Sequence, residues 1–229
     1  MFAYIPARGG SKRIPKKNIK KLGDKELILH TIDQLLEVSN LTGICVSTDD
    51  EEILAVVSKR KEVVTLNKRK ASLANDTTSF ADLINHDMER YFKHFNTDDV
   101  LFTLPTAALV SSNEYMSGIA KYYQDENPAG LVISVTQFNM SPFLALTEKN
   151  PGELKALFPD KYLLPTKDLS PCYMDSGCFY IFNRSEFLKH EKLIDLRPIK
   201  YVILPSNIGI DVDTEHDWSK LEKEYLKKH

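Results

Sequence analysis

Cysteine is scarce in this sequence: Cys45, Cys172 and Cys178 are the three in 229 residues, with no CxxC pair and no histidine at zinc-finger spacing. Neither a disulfide framework nor a zinc site is expected, and a reducing cytoplasm fits best. Long apolar runs are missing as well. The opening MFAYIPARGG is too short for a signal peptide, and no later segment reaches the ~18 apolar residues of a spanning helix, so no membrane segment is expected. Net charge is nearly absent. With 30 basic against 32 acidic residues and a formal charge of -2, the chain does not read as a general nucleic-acid binder, whose domains are strongly basic. No GxxxxGK[ST] or GxGxxG spacing occurs, which sets aside a Walker loop and a dinucleotide fingerprint. Nor does a Ser/His/Asp order or a Cys/His pair stand out. His86 and His94 fall in a predicted helix and read as surface or core-edge residues, Cys45 as strand core, and Cys178 as a small buried hydrophobe.

What is present begins with MFAYIPARGGSKRIPKKN, a short apolar strand that empties into a glycine turn crowded with cations. Gly9 and Gly10 can take positive φ, so the backbone is able to turn tightly and aim successive N–H groups at an anion. Arg8, Ser11, Lys12, Arg13, Lys16 and Lys17 add side-chain donors around the same point, and Pro15 stiffens the turn. The alternative is a basic loop that forms only a solvated face.

At 42% hydrophobic and 27% charged, the chain reads as one large domain with room for a small insertion. Leu27, Ile28, Thr31, Ile32, Leu35 and Leu36 lie at helical spacing behind the first strand. Strands are predicted around Ile44–Val46, over 62–66 (EVVTL), over 100–105 (VLFTLP) and over 130–138 (GLVISVTQF), with helices EEILAVVSKR, FADLINHDMERYFKHF and SSNEYMSGIAKYYQ between them. Ser111 or Ser112 caps the last of these helices. The alternation calls for a parallel α/β sheet. Residues 139–171 break the pattern, hold five of the eleven prolines and read as an arm or lid, since long irregular connections are usually functional. CFYIFN and YVILP return as strands, and a helix starts near Thr214.

Just before that helix stands an acidic turn, Asp211, Asp213, Glu215 and Asp217. Two apart in an extended segment, Asp211 and Asp213 face one side, where hard oxygen ligands are able to hold Mg²⁺. The competing reading makes Asp213 or Thr214 a simple helix cap.

Taken in order, IPARGGSKRIPKKN, VSTDDEEI, SLANDTTS, MDSGCFY and DVDTEHDW resemble the successive motifs of bacterial CMP-sugar acid synthetases over nearly the whole chain, most closely the pseudaminic acid branch. The resemblance implies a three-layer Rossmann-like α/β fold of nucleotidyltransferase type, with a mostly parallel sheet and 139–171 as a dimerisation arm in a homodimer. It implies a Mg²⁺-dependent cytidylyltransferase that joins CTP to a nine-carbon nonulosonic acid for surface glycan or flagellin glycosylation. Within it, Arg8, Lys12, Lys17 and Asp213 are catalytic. Ala7, Arg8, Gly9, Gly10, Ser11, Asn18, Arg69 and Thr78 hold the nucleotide, and Asp211 and Asp213 hold the metal. Leu104, Tyr173, Asp175 and Phe179 are sugar-pocket candidates. Leu104 stands where the N-acetylneuraminate branch has a Gln that contacts the sugar, and Pro165 where relatives carry an arm arginine. N-acetylneuraminate or legionaminate is the second-choice substrate. A nucleotide-binding module without transfer activity, and a polyanion binder using the basic loop alone, are the other function classes.

Overall fold

The computed structural model describes residues 1–65 and 68–228, so the last residue of the predicted strand 62–66 lies outside the described residues. A seven-stranded sheet forms from β1 (Phe2–Pro6), β2 (Ile44–Ser47), β3 (Val63–Val64), β4 (Asp99–Thr103), β5 (Leu131–Gln137), β6 (Tyr173–Asn183) and β7 (Ile199–Ile203). Their order across the sheet is β7-β5-β6-β4-β1-β2-β3. All neighbours are parallel except β6, which runs antiparallel between β4 and β5.

Both faces of the sheet are covered, which is why its strands read as continuous apolar runs rather than alternating ones. In β1, Ala3 and Ile5 point into one cluster with Ile28, Leu29 and Ile32 of α1 (Leu27–Leu36), Ile53 of α2 (Glu51–Val57) and Tyr115 of α4 (Ser112–Tyr122). Phe2 and Tyr4 point the other way, against Tyr91 and Phe92 of α3 (Glu89–Phe95). The three-layer expectation therefore holds. A third cluster joins Ile14, Leu22 and Leu27 to Val212, Trp218 and Leu221, the last two from α5 (Glu215–Lys228). It binds the back of the basic loop to the acidic turn.

Chain order creates a switch point. From β1 the chain builds outward through β2 and β3, then returns to place β4 on the other side of β1. Ligands of open α/β sheets bind at the crevice such a reversal leaves, outside the carboxyl ends of the strands.

Several local expectations shift. The helix predicted over 80–95 is interrupted by a π-helical turn, Leu83–Asp87. The fourth strand stops at Thr103, two residues short of Pro105, although the Leu104 N–H still donates to the Cys178 carbonyl of β6 at 3.3 Å. The arm is less irregular than its sequence suggests: Leu146–Asn150 and Glu153–Ala156 pair as an antiparallel hairpin around Gly152 at φ +80°. The hairpin is largely exposed on both faces, so it carries no apolar alternation to read. Of the two candidates, Ser111 caps α4, in a reciprocal box with Glu114. No helix among the described residues is long and apolar enough to cross a membrane.

Candidate active site

β1 delivers Pro6 and Ala7 to the sheet's carboxyl edge, and the chain opens there into the cation-rich loop. Ala7 is buried and donates its N–H to the Ser47 carbonyl at 2.9 Å. Asn18, also buried, braces the loop from beneath by donating from its side-chain amide to the Arg8 carbonyl at 2.9 Å. Ile14, 1% exposed, anchors the middle of the loop in the third cluster. The positive φ expected of Gly9 and Gly10 belongs instead to Lys16, at 52°. Gly9 is required for a different reason: a Cβ there would lie 2.3 Å from Asp50 Oδ2 and 2.8 Å from its Cβ. Gly10 faces open space. Nor do all the loop's N–H groups await an anion, since that of Gly9 donates to Asp49 Oδ1 at 3.0 Å.

The loop's side chains converge. Arg8, Ser11, Lys12 and Lys17 line one side of a cleft of about 170 Å³. Leu104 and Thr106, just beyond β4, line the other, and Asp213 completes it. Two carboxylates hold the cations. Asp76 receives Arg8 Nη1 at 2.8 Å and Lys12 Nζ at 2.6 Å, and Lys12 first, then Arg8, draws its carboxyl below the usual range. Asp213 meets Arg13 Nη2 at 2.9 Å and Lys17 Nζ at 3.7 Å. Lys17 also donates to the Val212 carbonyl at 2.5 Å. Desolvation lowers the Lys17 ammonium, with Asp213 and Asp211 opposing the shift.

The acidic turn is extended as its spacing predicts, with Val212 buried between the outward Asp211 and Asp213. Loss of solvent, then the charge of Asp213, raises the Asp211 carboxyl. The capping question resolves in favour of Thr214, whose hydroxyl accepts from the Asp217 N–H at 3.3 Å while Asp217 Oδ2 accepts from the Thr214 N–H at 2.8 Å. The Asp213 carboxylate is left to face the cations.

Arg69 is 5% exposed, donates from Nη2 to the Ser47 carbonyl at 2.5 Å, and has no partner at Nε among the described residues. It thus sits beside the start of the basic loop, because Ser47 pairs in register with Pro6. Thr78 is tied within its own loop by a 3.1 Å bond to Asn75 Oδ1 and does not line the cleft.

The sugar-pocket candidates divide. Leu104 lines the cleft. Tyr173 stands outside its lining and packs at a tilt against Tyr201, with ring centroids 5.0 Å apart. Asp175, also outside, accepts from the Gly177 N–H at 2.8 Å and the Tyr180 hydroxyl at 2.7 Å. Phe179 corrects the expectation for that position: at 0% exposed, it packs on Tyr115 inside the core and presents nothing to a ligand. Sequence reasoning missed Asp76 and Asp49, although both stand inside the motifs it quoted, SLANDTTS and VSTDDEEI.

Residues 2–200 match the family described as Cytidylyltransferase. A pseudaminic acid cytidylyltransferase of Campylobacter jejuni is 31% identical over 218 residues, 94% of this chain and 92% of the relative. The CMP-N,N'-diacetyllegionaminic acid synthase of Legionella pneumophila is 30% identical over 230 residues, 97% of this chain and 95% of the relative. Among solved structures, a CMP:2-keto-3-deoxy-manno-octonic acid synthetase complexed with CTP shares the fold with a TM-score of 0.73 at 15% identity, covering 100% of this chain and 99% of the other. A 4-diphosphocytidyl-2C-methyl-D-erythritol synthase of Anaerococcus prevotii does so with a TM-score of 0.61, also at 15% identity, covering 98% and 95%. A cation-lined cleft at the switch point of a nucleotidyltransferase-type sheet and relatives matched over nearly their full length lead to one assignment: the chain belongs to the cytidylyltransferase family.

Proposed function

We propose that this chain transfers CMP from CTP to a nine-carbon nonulosonic acid, pseudaminic acid before legionaminic or N-acetylneuraminic acid, and releases pyrophosphate. The observation that carries the reading is the convergence of Arg8, Lys12 and Lys17 with Asp213 on one cleft. In this reaction the sugar's anomeric hydroxyl attacks the α-phosphate and negative charge moves onto the departing pyrophosphate. Fixed cations already in place stabilise that charge as it develops. Arg8 and Lys12 exchange the Asp76 carboxylate for phosphate oxygens, and Arg69, held beside the start of the loop by the Ser47 carbonyl, meets the nucleoside. The two carboxylates of Asp211 and Asp213 would hold Mg²⁺, which would supply positive charge against the charge developing on the leaving group. Among the described residues no group of three or more metal-binding side chains exists, so those two would hold it without a further protein cluster.

A coupled pyrophosphate-release assay with CTP, Mg²⁺ and each of the three sugar acids tests the proposal. Turnover is expected with pseudaminic acid above the others. CTP binding without turnover on any acid would leave the chain a nucleotide-binding module.

Gly9→Ala gives a second test. Its Cβ displaces the loop from Asp50, and a misplacement of this kind should raise KM for CTP by about tenfold or more, because phosphate contacts demand near-ångström placement. Gly10→Ala, with open space around it, should leave KM near that of the wild type. Equal values for the two variants would refute the packing argument.

The arm supports a homodimer. Met140, Leu154, Leu157 and Leu163 are exposed on it at 74%, 62%, 52% and 89%, and apolar side chains so placed mark a surface that a second subunit covers. A cytoplasmic setting agrees with three unpaired cysteines, two of them buried.

A further inference from the structure

Asp87 is a buried carboxylate that the proposed chemistry does not use. It stands at the end of the π-helical turn, within the apolar stripe of Leu83, Ile84, Met88, Tyr91 and Phe92, and is 3% exposed. A charge in such surroundings is tolerated only when it is fully partnered. Its partners come from three elements. Oδ2 accepts from the Tyr4 hydroxyl of β1 at 2.5 Å and from the Ser47 hydroxyl of β2 at 2.5 Å, and Oδ1 accepts from Arg90 Nη2 of α3 at 2.8 Å. Ser47 is the node. Its hydroxyl is bound to Asp87, while its carbonyl oxygen accepts both the Ala7 N–H, at 2.9 Å, and Arg69 Nη2, at 2.5 Å. Both acceptor sites of that oxygen are thereby filled. One residue thus ties the first residue of the basic loop to the arginine proposed to meet the nucleoside.

We propose that Asp87 is a positioning residue for nucleotide binding: through the Ser47 hydroxyl it fixes the carbonyl that holds Ala7 and Arg69 in their mutual geometry. Networks of this kind act as a unit, and π turns recur where a helix must present one side chain to a site. The proposal rests on the reading of the cleft as a CTP site. It separates from that reading because it concerns how tightly CTP binds, not whether the reaction occurs.

The test compares the full-length wild type with Asp87→Asn, Ser47→Ala and the double variant. Calorimetry with CTP alone comes first, then steady-state kinetics with both substrates and thermal unfolding. Asp87→Asn should raise Kd and KM for CTP by about tenfold, the scale typical of lost orienting partners. KM for the sugar acid should stay within about twofold, and kcat should fall by less than KM for CTP rises, since the sugar acid meets neither Ala7 nor Arg69. Ser47→Ala should move in the same direction, and the double variant should be no worse than the poorer single one, as expected for one shared path. Ser47→Ala removes a hydroxyl without altering charge, so it keeps the test decisive if Asp87→Asn fails to fold. A wild-type Kd for CTP in folded Asp87→Asn, or in folded Ser47→Ala, overturns the proposal. So does a variant whose melting temperature and kcat fall while KM for CTP stays fixed, because that pattern belongs to a structural brace. A wild type that does not bind CTP overturns both this proposal and the functional reading beneath it.

Discussion

Asp213→Asn lowers turnover by roughly a hundredfold or more while leaving thermal unfolding unchanged, the expected outcome when one fixed charge at the leaving group is removed. The two halves of this result have separate causes. Stability persists because Thr214 and Asp217 make the reciprocal bonds at the head of α5, and the Asp213 side chain takes no part in them. The ion pair with Arg13 is also partly exposed, 64% on the arginine and 44% on the carboxylate, and pairs so placed contribute little. Turnover falls because asparagine keeps the shape but not the charge that orients Arg13 and Lys17 and that, in the proposed reaction, would hold Mg²⁺ together with Asp211. The measurement is the pyrophosphate-release rate at saturating CTP and sugar acid, beside a melting curve followed by circular dichroism. Wild-type turnover in the variant would reduce Asp213 to a counterion for Arg13.

Trp218→Ala has the largest expected effect on stability, a loss of about 3–5 kcal/mol, as for other fully buried aromatic truncations. That corresponds to a fall in melting temperature on the order of 10 °C for a chain of this size. Trp218 is 2% exposed at the centre of the cluster that includes Ile14 and Val212, with the Lys20 ammonium 4.3 Å from its ring centroid. Truncation opens a void beneath the basic loop and the acidic turn alike, so CTP binding weakens along with the fold. Trp218→Phe is the informative companion. The indole Nε1 has no acceptor among the described residues, so phenylalanine loses volume but no hydrogen bond and should recover most of the stability. Differential scanning calorimetry on both variants decides the matter, and a Trp218→Ala melting point within about 2 °C of the wild type would contradict the packing account.

These two residues also mark what the sequence makes legible. Local patterns carry through: the apolar runs that become β1, β2, β4 and β5, the amphipathic spacing of α1, the basic loop and the two-residue spacing of Asp211 and Asp213. Pairings between distant residues do not, because no periodicity encodes them. Asp76 on Arg8 and Lys12, and Asp49 on the Gly9 N–H, belong to this class. So does the Asp87 network, visible in advance only as a carboxylate on an apolar stripe. Phe179 is placed in the sugar pocket by the resemblance alone, which carries no information on burial. The β6 ladder slips between Asp175 and Tyr180, so alternation counted from Tyr173 and Asp175 does not fix which way Phe179 points. Strand direction was equally hidden. CFYIFN reads as a buried strand in either orientation, and only pairing with β4 and β5 makes β6 antiparallel.

That reversed strand has a consequence for how such a chain diversifies. The arm departs after Gln137 and returns at Tyr173, two residues that face each other across the β5–β6 ladder, and the Phe138 N–H donates to the Cys172 carbonyl at 3.2 Å just beyond. Its ends are therefore held about one strand spacing apart, ~5 Å, whatever lies between them. An excursion clamped in this way changes length at small cost in closure entropy. Recombination between homologous genes is thus able to exchange the whole segment as a cassette, altering the surface it presents while the catalytic sheet is inherited unchanged.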